Sequence, residues 1–254
     1  METTTQEAST QELDVAPNKG LLRDETIALR RLFGYCDNDT SPSPSIPDFL
    51  GIKLRKTGLR DVRFLSVDID ALQYKEQVIH QAHIGVSLLD TRILQTSIIG
   101  SSNARPETQM IESHHFVVGS PKFSRRKSNR FLFGPFEAMS LADLGARLEA
   151  MTLHHNIILV GHGMDRELNI LEQLDIDLHP RYIIDTVKAA QYPLQLFYRY
   201  SLERLLTEFN IPFCHLHTAG NDAHFILRAL LMITVRDAEL QLDATLLPKA
   251  GCQH

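Results

Sequence analysis

Arg63-Phe64-Leu65-Ser66-Val67-Asp68-Ile69-Asp70-Ala71 (RFLSVDIDA) is the stretch on which the reading of the fold turns. Phe64, Leu65 and Val67 make it a buried strand, and two acids close it. Asp68 and Asp70 stand two residues apart, so both side chains leave the same face of a pleated strand. Two carboxylates side by side repel unless a cation or a proton lies between them. A capping Asp beside a solvated one is the plain alternative for such a pair. The buried strand leading into it makes the charges expensive and turns the reading toward a metal pair.

Elements fall into place on either side. Ala82 to Leu89 reads as a second strand, Asp90-Thr91 as a turn and Arg92 to Ile99 as a weaker third strand. His115 to Gly119 adds to that run. Ser140 to Met151 has a Ser cap and helical apolar spacing. Asn156 to Gly161 (NIILVG) is a short buried strand followed by a helix from Asp165 to Leu174. Tyr182 to Asp185 is again strand, and Ser201 to Phe209 and Asn221 to Val235 are helices. Phe64, Leu65, Val67, Ile157, Ile158, Leu159 and Ile183 are expected in the core. Strands in a run, then alternating with helices, predict an α/β domain with a mixed central sheet and helices on both faces. Active sites of such sheets gather beyond the carboxyl ends of central strands. Asp68, Asp70 and Asp165 all fall there.

Two further segments bear on chemistry. Val160-Gly161-His162-Gly163-Met164-Asp165 joins strand to helix through two glycines, and Asp165 would project from the first helical turn; an acid placed for the helix dipole is the competing role. His217-Thr218-Ala219-Gly220-Asn221-Asp222 precedes an Ala- and Leu-rich helix. His217 and Asp222 there can face one cavity, or be a surface His beside a capping Asp.

In combination the three segments resemble the DEDDh 3′–5′ exonucleases of the ribonuclease H-like superfamily. Members carry DxE on the first strand, an Asp after a later strand, and a His and an Asp with four residues between them. Asp68-Ile69-Asp70, Asp165, and His217 with Asp222 occur in that order, and the HxAGNDA form is similar to a fungal branch. Ile184-Asp185-Thr186 and the Ser201-Leu202 helix start agree, and the resemblance covers roughly residues 60 to 236. It implies a ribonuclease H-like fold and two Mg²⁺ or Mn²⁺ ions held by Asp68, Asp70, Asp165 and Asp222. It further implies His217 as general base, and nucleoside 5′-monophosphates released from single-stranded RNA or DNA, with RNA slightly favoured. One departure is plain: Asp70 stands where the family has Glu, one methylene shorter. Near-attack geometry tolerates little displacement, about 1 Å costing on the order of a hundredfold in rate. A weakened or inactive module that binds nucleic acid or a protein is therefore the alternative.

The rest of the chain sets bounds. Its 254 residues, 43% of them hydrophobic, suit one soluble domain with appendages. Residues 1–20 are polar and without periodicity, and are expected to be a disordered tail. Residues 21–58 read as a helix (Leu21 to Phe33) that could recruit a protein partner, then a Pro/Ser-rich linker. The catalytic domain would span 59–236 and a tail 237–254. Three scattered cysteines (Cys36, Cys214, Cys252) argue for a reducing compartment, cytoplasmic or nuclear. No apolar run is long enough for a membrane. A net charge of −5 does not suit a protein that grips nucleic acid through its whole surface. The basic interval Lys122 to Arg130, with Arg125, Arg126 and Lys127, reads as a solvated loop or a phosphate contact. Leu72 could wedge against a terminal base, and His162 could line the cleft. Tyr192, Phe197 and Tyr198 could stack on bases, with packing the preferred reading. Zinc is disfavoured, since no CxxC or HxxxH completes the Cys214, His215 and His217 cluster.

Overall fold

The computed structural model describes residues 20–35, 43, 45–100, 105–106, 109–119 and 128–246. Residues 1–19 of the expected tail 1–20, Cys36, Cys252 and the basic residues Arg125, Arg126 and Lys127 lie outside them, whereas Gly20 is buried and donates its N–H to Gln195 Oε1 at 2.8 Å. Two long strands, β1 (Arg63–Lys75) and β2 (Val78–Asp90), form the central hairpin. Helix α1 (Asp24–Phe33) precedes them, and α2 (Thr91–Ile98) and β3 (Ile111–Val118) follow. Then come β4 (Glu137–Met139), α3 (Leu141–Thr152), β5 (Ile157–Gly161), α4 (Asp165–Gln173), β6 (Tyr182–Asp185) and α5 (Thr186–Ala189). Helices α6 (Leu202–Glu208) and α7 (Ala219–Leu246) complete the described chain.

The sheet order is β4-β3-β2-β1-β5-β6. β2 runs antiparallel to both β1 and β3, whereas β5 is parallel to β1 and β6. Alternation along β1 divides the core. Phe64, with Leu89, Ile158 and Ile184, packs under α1, α5, α6 and α7. Leu65, Val67 and Ile69 pack under α3 and α4. The mixed sheet with helices on both faces is therefore as expected.

Four differences have local causes. Residues 92–99 are not a strand. Thr91 leaves the ladder by exchanging hydrogen bonds with the backbone of Val62, and Asp90 Oδ1 caps α2 by accepting the Arg92 N–H at 2.8 Å. The β-branched run there obscured the helical Leu94–Ile98 spacing. β4 is only three residues long, too short to show a period. Helix α7 continues to Leu246 where a tail was expected from 237. Helix α1 is part of the main core rather than a free docking element: Ala28, Leu29 and Leu32 are fully buried beneath α7. Its Arg30 grips Asp237 of α7 through two bonds, Nε to Oδ2 at 2.8 Å and Nη2 to Oδ1 at 2.9 Å.

Candidate active site

Asp68 and Asp70 occupy the end of the regular part of β1, paired across the hairpin with Gly85 and His83. Gly85 lets a helix reach the strand. A Cβ there would stand 1.9 Å from the carbonyl oxygen of Ala219, so only glycine allows the first turn of α7 to rest on β2. Beneath that turn His115 Nδ1 accepts the Gly220 N–H at 3.0 Å, and its other nitrogen faces His83. Asn221 is wholly buried and latches three segments. Its amide donates to the carbonyls of Arg130 and His215, and its oxygen accepts the Leu132 N–H. Asp222, next in sequence, is thereby held against Asp68. Its Oδ2 accepts the backbone N–H of His217 at 2.8 Å, and its Oδ1 is buried without a hydrogen-bond donor.

The third approach comes from α4. The turn before it is tied down where Asp185 Oδ1 accepts the Gly163 N–H at 2.9 Å while also capping α5. Arg166 anchors the first turn of α4 to the carbonyl of Ile69 at 3.2 Å. Between them Glu167 is buried, and burial raises its carboxyl above the usual range.

Asp68 senses the whole arrangement. Burial, then the negative charges of Asp222, Glu167 and Asp70, push its carboxyl well above its ordinary value, against the opposing charge of Arg166. Asp165 is absent from these influences and is exposed on the outer side of α4. The structure thus brings together Asp68, Asp70 and Asp222 and places Glu167, not Asp165, with them. Glu167 was legible in principle. It lies three residues from buried Met164 and three and four before buried Ile170 and Leu171, the core phase of the helix, where a lone acid is conspicuous. Among the described residues no three His, Cys, Asp or Glu side chains are already closed around one metal position. The donor set itself fits hard divalent ions, since Asp68 and the three acids that act on it, Asp222, Glu167 and Asp70, all offer oxygen.

Other expected site residues fall differently. His217 sits in the loop before α7 with its side chain exposed and a left-handed backbone, φ +62°. His162 is held inside the turn rather than facing the cleft. Its Nε2 donates to the Tyr200 carbonyl at 3.0 Å, and Nδ1 meets the Thr186 hydroxyl at 2.9 Å. Burial lowers its pKa, so the neutral ring is favoured. Leu72 does not share the face of the acids. The β1–β2 register shifts between Asp70 and Gln73, Ala71 takes φ +52°, and Leu72 turns onto the cluster of Leu65, Val67 and Ile69. A slip of this kind reverses the facing of every later side chain. Tyr192 is half-buried under the Arg30 guanidinium, whereas Phe197 and Tyr198 stand out from the surface instead of packing.

This sheet order, with acids converging where β1, α4 and α7 meet, defines a ribonuclease H-like α/β domain of the nuclease type. The sequence matches the DEDDh family described as DNA polymerase III subunit epsilon-like, C-terminal domain, over residues 63–233. The chain belongs to that family. An uncharacterized nucleolar protein of Schizosaccharomyces pombe is 24% identical over 180 residues, covering 67% of this chain and 68% of the relative. Among solved structures, the chain is similar to E. coli exonuclease I in its zinc-bound complex with single-stranded DNA. The identity is 14% and the TM-score 0.45, over 73% of this chain and 43% of that one. The same enzyme with a dA16 oligonucleotide gives 14% identity and a TM-score of 0.44, over 70% and 42%. The chain spans less than half the length of these exonuclease I chains. No helix among the described residues is long and apolar enough to cross a membrane.

Proposed function

We propose that this protein is a metal-dependent 3′–5′ exonuclease acting on single-stranded nucleic acid, RNA ahead of DNA. The observation that carries the reading is the burial of Asp68 among Asp222, Glu167 and Asp70, opposed among the described residues by Arg166. Buried like charges destabilise a fold unless a bound cation relieves them, so the arrangement is a binding site held ready. Asp68, Asp70, Asp222 and Glu167 would hold two Mg²⁺ or Mn²⁺ ions. Such ions, when bound, activate water and steady charge on the attacking and leaving oxygens of a phosphodiester. His217, on the loop whose N–H binds Asp222, would take the proton of the attacking water as general base. Its exposure lets it reach substrate and return the proton to solvent. The nucleolar location in the yeast relative's name supports a nuclear site of action.

Asp70 and Glu167 differ reciprocally from the family pattern, a shorter acid on β1 and a longer one on α4. The extra methylene of Glu167 can recover reach that Asp70 gives up. Digestion of 5′-labelled RNA and DNA with Mn²⁺ should yield a descending ladder. Asp68→Ala should abolish it, Glu167→Gln should lower the rate about a hundredfold or more, and Asp165→Asn should leave it nearly unchanged. No ladder on either substrate would favour a binding module without catalysis. A ladder lost in Asp165→Asn but kept in Glu167→Gln would reverse the assignment on α4.

A further inference from the structure

The loop between α5 and α6 carries an unusual surface. Phe197 is 64% exposed and Tyr198 53% exposed, neighbours in sequence and both large apolar rings in water. Behind them the Arg204 guanidinium lies 5.4 Å from the Tyr198 ring centre and 4.4 Å from that of Tyr200, whose ring is tilted 5.5 Å from Tyr198. The cation and the second ring brace Tyr198 while its outer side stays open.

Arg199 reaches the other way. One of its guanidinium nitrogens lies 2.9 Å from where a Cβ on Gly163 would stand, in the turn leading to Glu167. The next residue, Tyr200, accepts the His162 Nε2–H of the same turn. The surface is therefore tied to the turn that leads into α4, the helix that carries Glu167. Exposed rings interleaved with cations suit one kind of chain: unpaired bases stack on the rings while phosphates meet the guanidinium groups.

We propose that Phe197 and Tyr198, with Arg199 and Arg204, form a base-stacking platform that holds the single-stranded part of the substrate as its end enters the carboxylate site. This rests on the exonuclease reading, and the test separates the two. Binding of a short 5′-fluorescein-labelled single-stranded oligonucleotide is measured by anisotropy with Ca²⁺ replacing the catalytic ion. Hydrolysis of the p-nitrophenyl ester of thymidine 5′-monophosphate, which has no further bases to stack, is measured with Mn²⁺. Phe197→Ala/Tyr198→Ala should weaken oligonucleotide binding roughly tenfold for each ring lost and leave ester hydrolysis unchanged. Phe197→Trp/Tyr198→Trp should restore binding. Arg199→Gln/Arg204→Gln should flatten its salt dependence. Unchanged binding in the double alanine variant would overturn the platform and point to a protein partner on these rings. A parallel fall in ester hydrolysis would overturn it too, because the rings would then be shaping the site itself. If the native protein leaves the ester and labelled RNA and DNA all intact, the exonuclease reading fails while the binding comparison still judges the platform.

Discussion

Asp68 is the residue where stability and activity oppose each other. Its carboxyl titrates well above the ordinary range in the folded chain, first because it is buried and then because Asp222, Glu167 and Asp70 face it. The folded state therefore holds the proton more tightly than the unfolded one. As pH rises from the ordinary carboxylate value toward the raised one, the metal-free protein loses stability. Asp68→Asn removes that penalty. In EDTA at about pH 8 the variant should melt at a higher temperature than the native chain, the gain shrinking as the solution is acidified, while hydrolysis is abolished. Equal melting curves across pH would mean that Asp68 is not under electrostatic strain. The DxD pair and its shared face were readable because a strand's period of two is rigid up to Asp70. Beyond it the bulge at Ala71 reverses the facing, and nothing in Ala71-Leu72-Gln73 announces that slip. Glu167 escaped for a different reason. Asp165 is the first acid after the glycine turn, and proximity to the turn outweighed the helical phase that puts Glu167 inside.

Helix α7 joins the site to the sheet, and its second turn carries a built-in acid limit. His224 is buried, lies 3.5 Å from Phe133 in a stacked pair, and has Nδ1 2.9 Å from the Ser113 hydroxyl of β3. Burial, followed by the charge of Arg228, pushes its pKa down to about 4. A histidine so depressed favours the fold while neutral. Its contribution is complete above its ordinary pKa and is lost as pH falls toward the folded value. The shift corresponds to about 3 kcal/mol. His224→Phe should flatten the decline in thermal stability between about pH 6.5 and 4, read by circular dichroism melts. An unchanged decline would show that other groups govern acid unfolding. Two positions from Asp222 on a helix, His224 points away from the acids and lies against Phe133 and Ser113. Its partners could not be read from sequence, because both come from segments more than ninety residues earlier in the chain. The contrast with α2 is instructive. There a local cap at Asp90 decides helix over strand, but in the sequence Asp90-Thr91 reads as a turn and the isoleucine-rich residues after it read as a strand.

Across the molecule, the catalytic fold could be read as a unit beginning near residue 59, yet the folded protein extends further at both ends. The link is the Arg30–Asp237 pair, 5% and 0% exposed, with the Tyr35 hydroxyl donating to Asp237 Oδ2 at 2.7 Å. Helix α1 looked detachable because a Pro/Ser-rich stretch separates it from β1. Composition marks the linker but not where the chain returns, and here α1 returns to cover Phe64 and the apolar side of α7. Removing one member of a buried ion pair strands the other's charge, at about 3–5 kcal/mol. Asp237→Ala should therefore destabilise the protein by that amount in urea unfolding, since Arg30, buried beside the Tyr192 ring, loses the carboxylate of Asp237. Replacing both partners, Arg30→Met with Asp237→Leu, should recover most of the loss, because an apolar pair of similar volume needs no charge partner. A double variant no better than the single one would place the stabilisation in the hydrogen bonds of the pair rather than in relief of buried charge. A chain beginning at residue 59 should expose the apolar face that Leu29 and Leu32 cover. It should lose cooperative unfolding together with activity, even though every carboxylate of the candidate site lies within it.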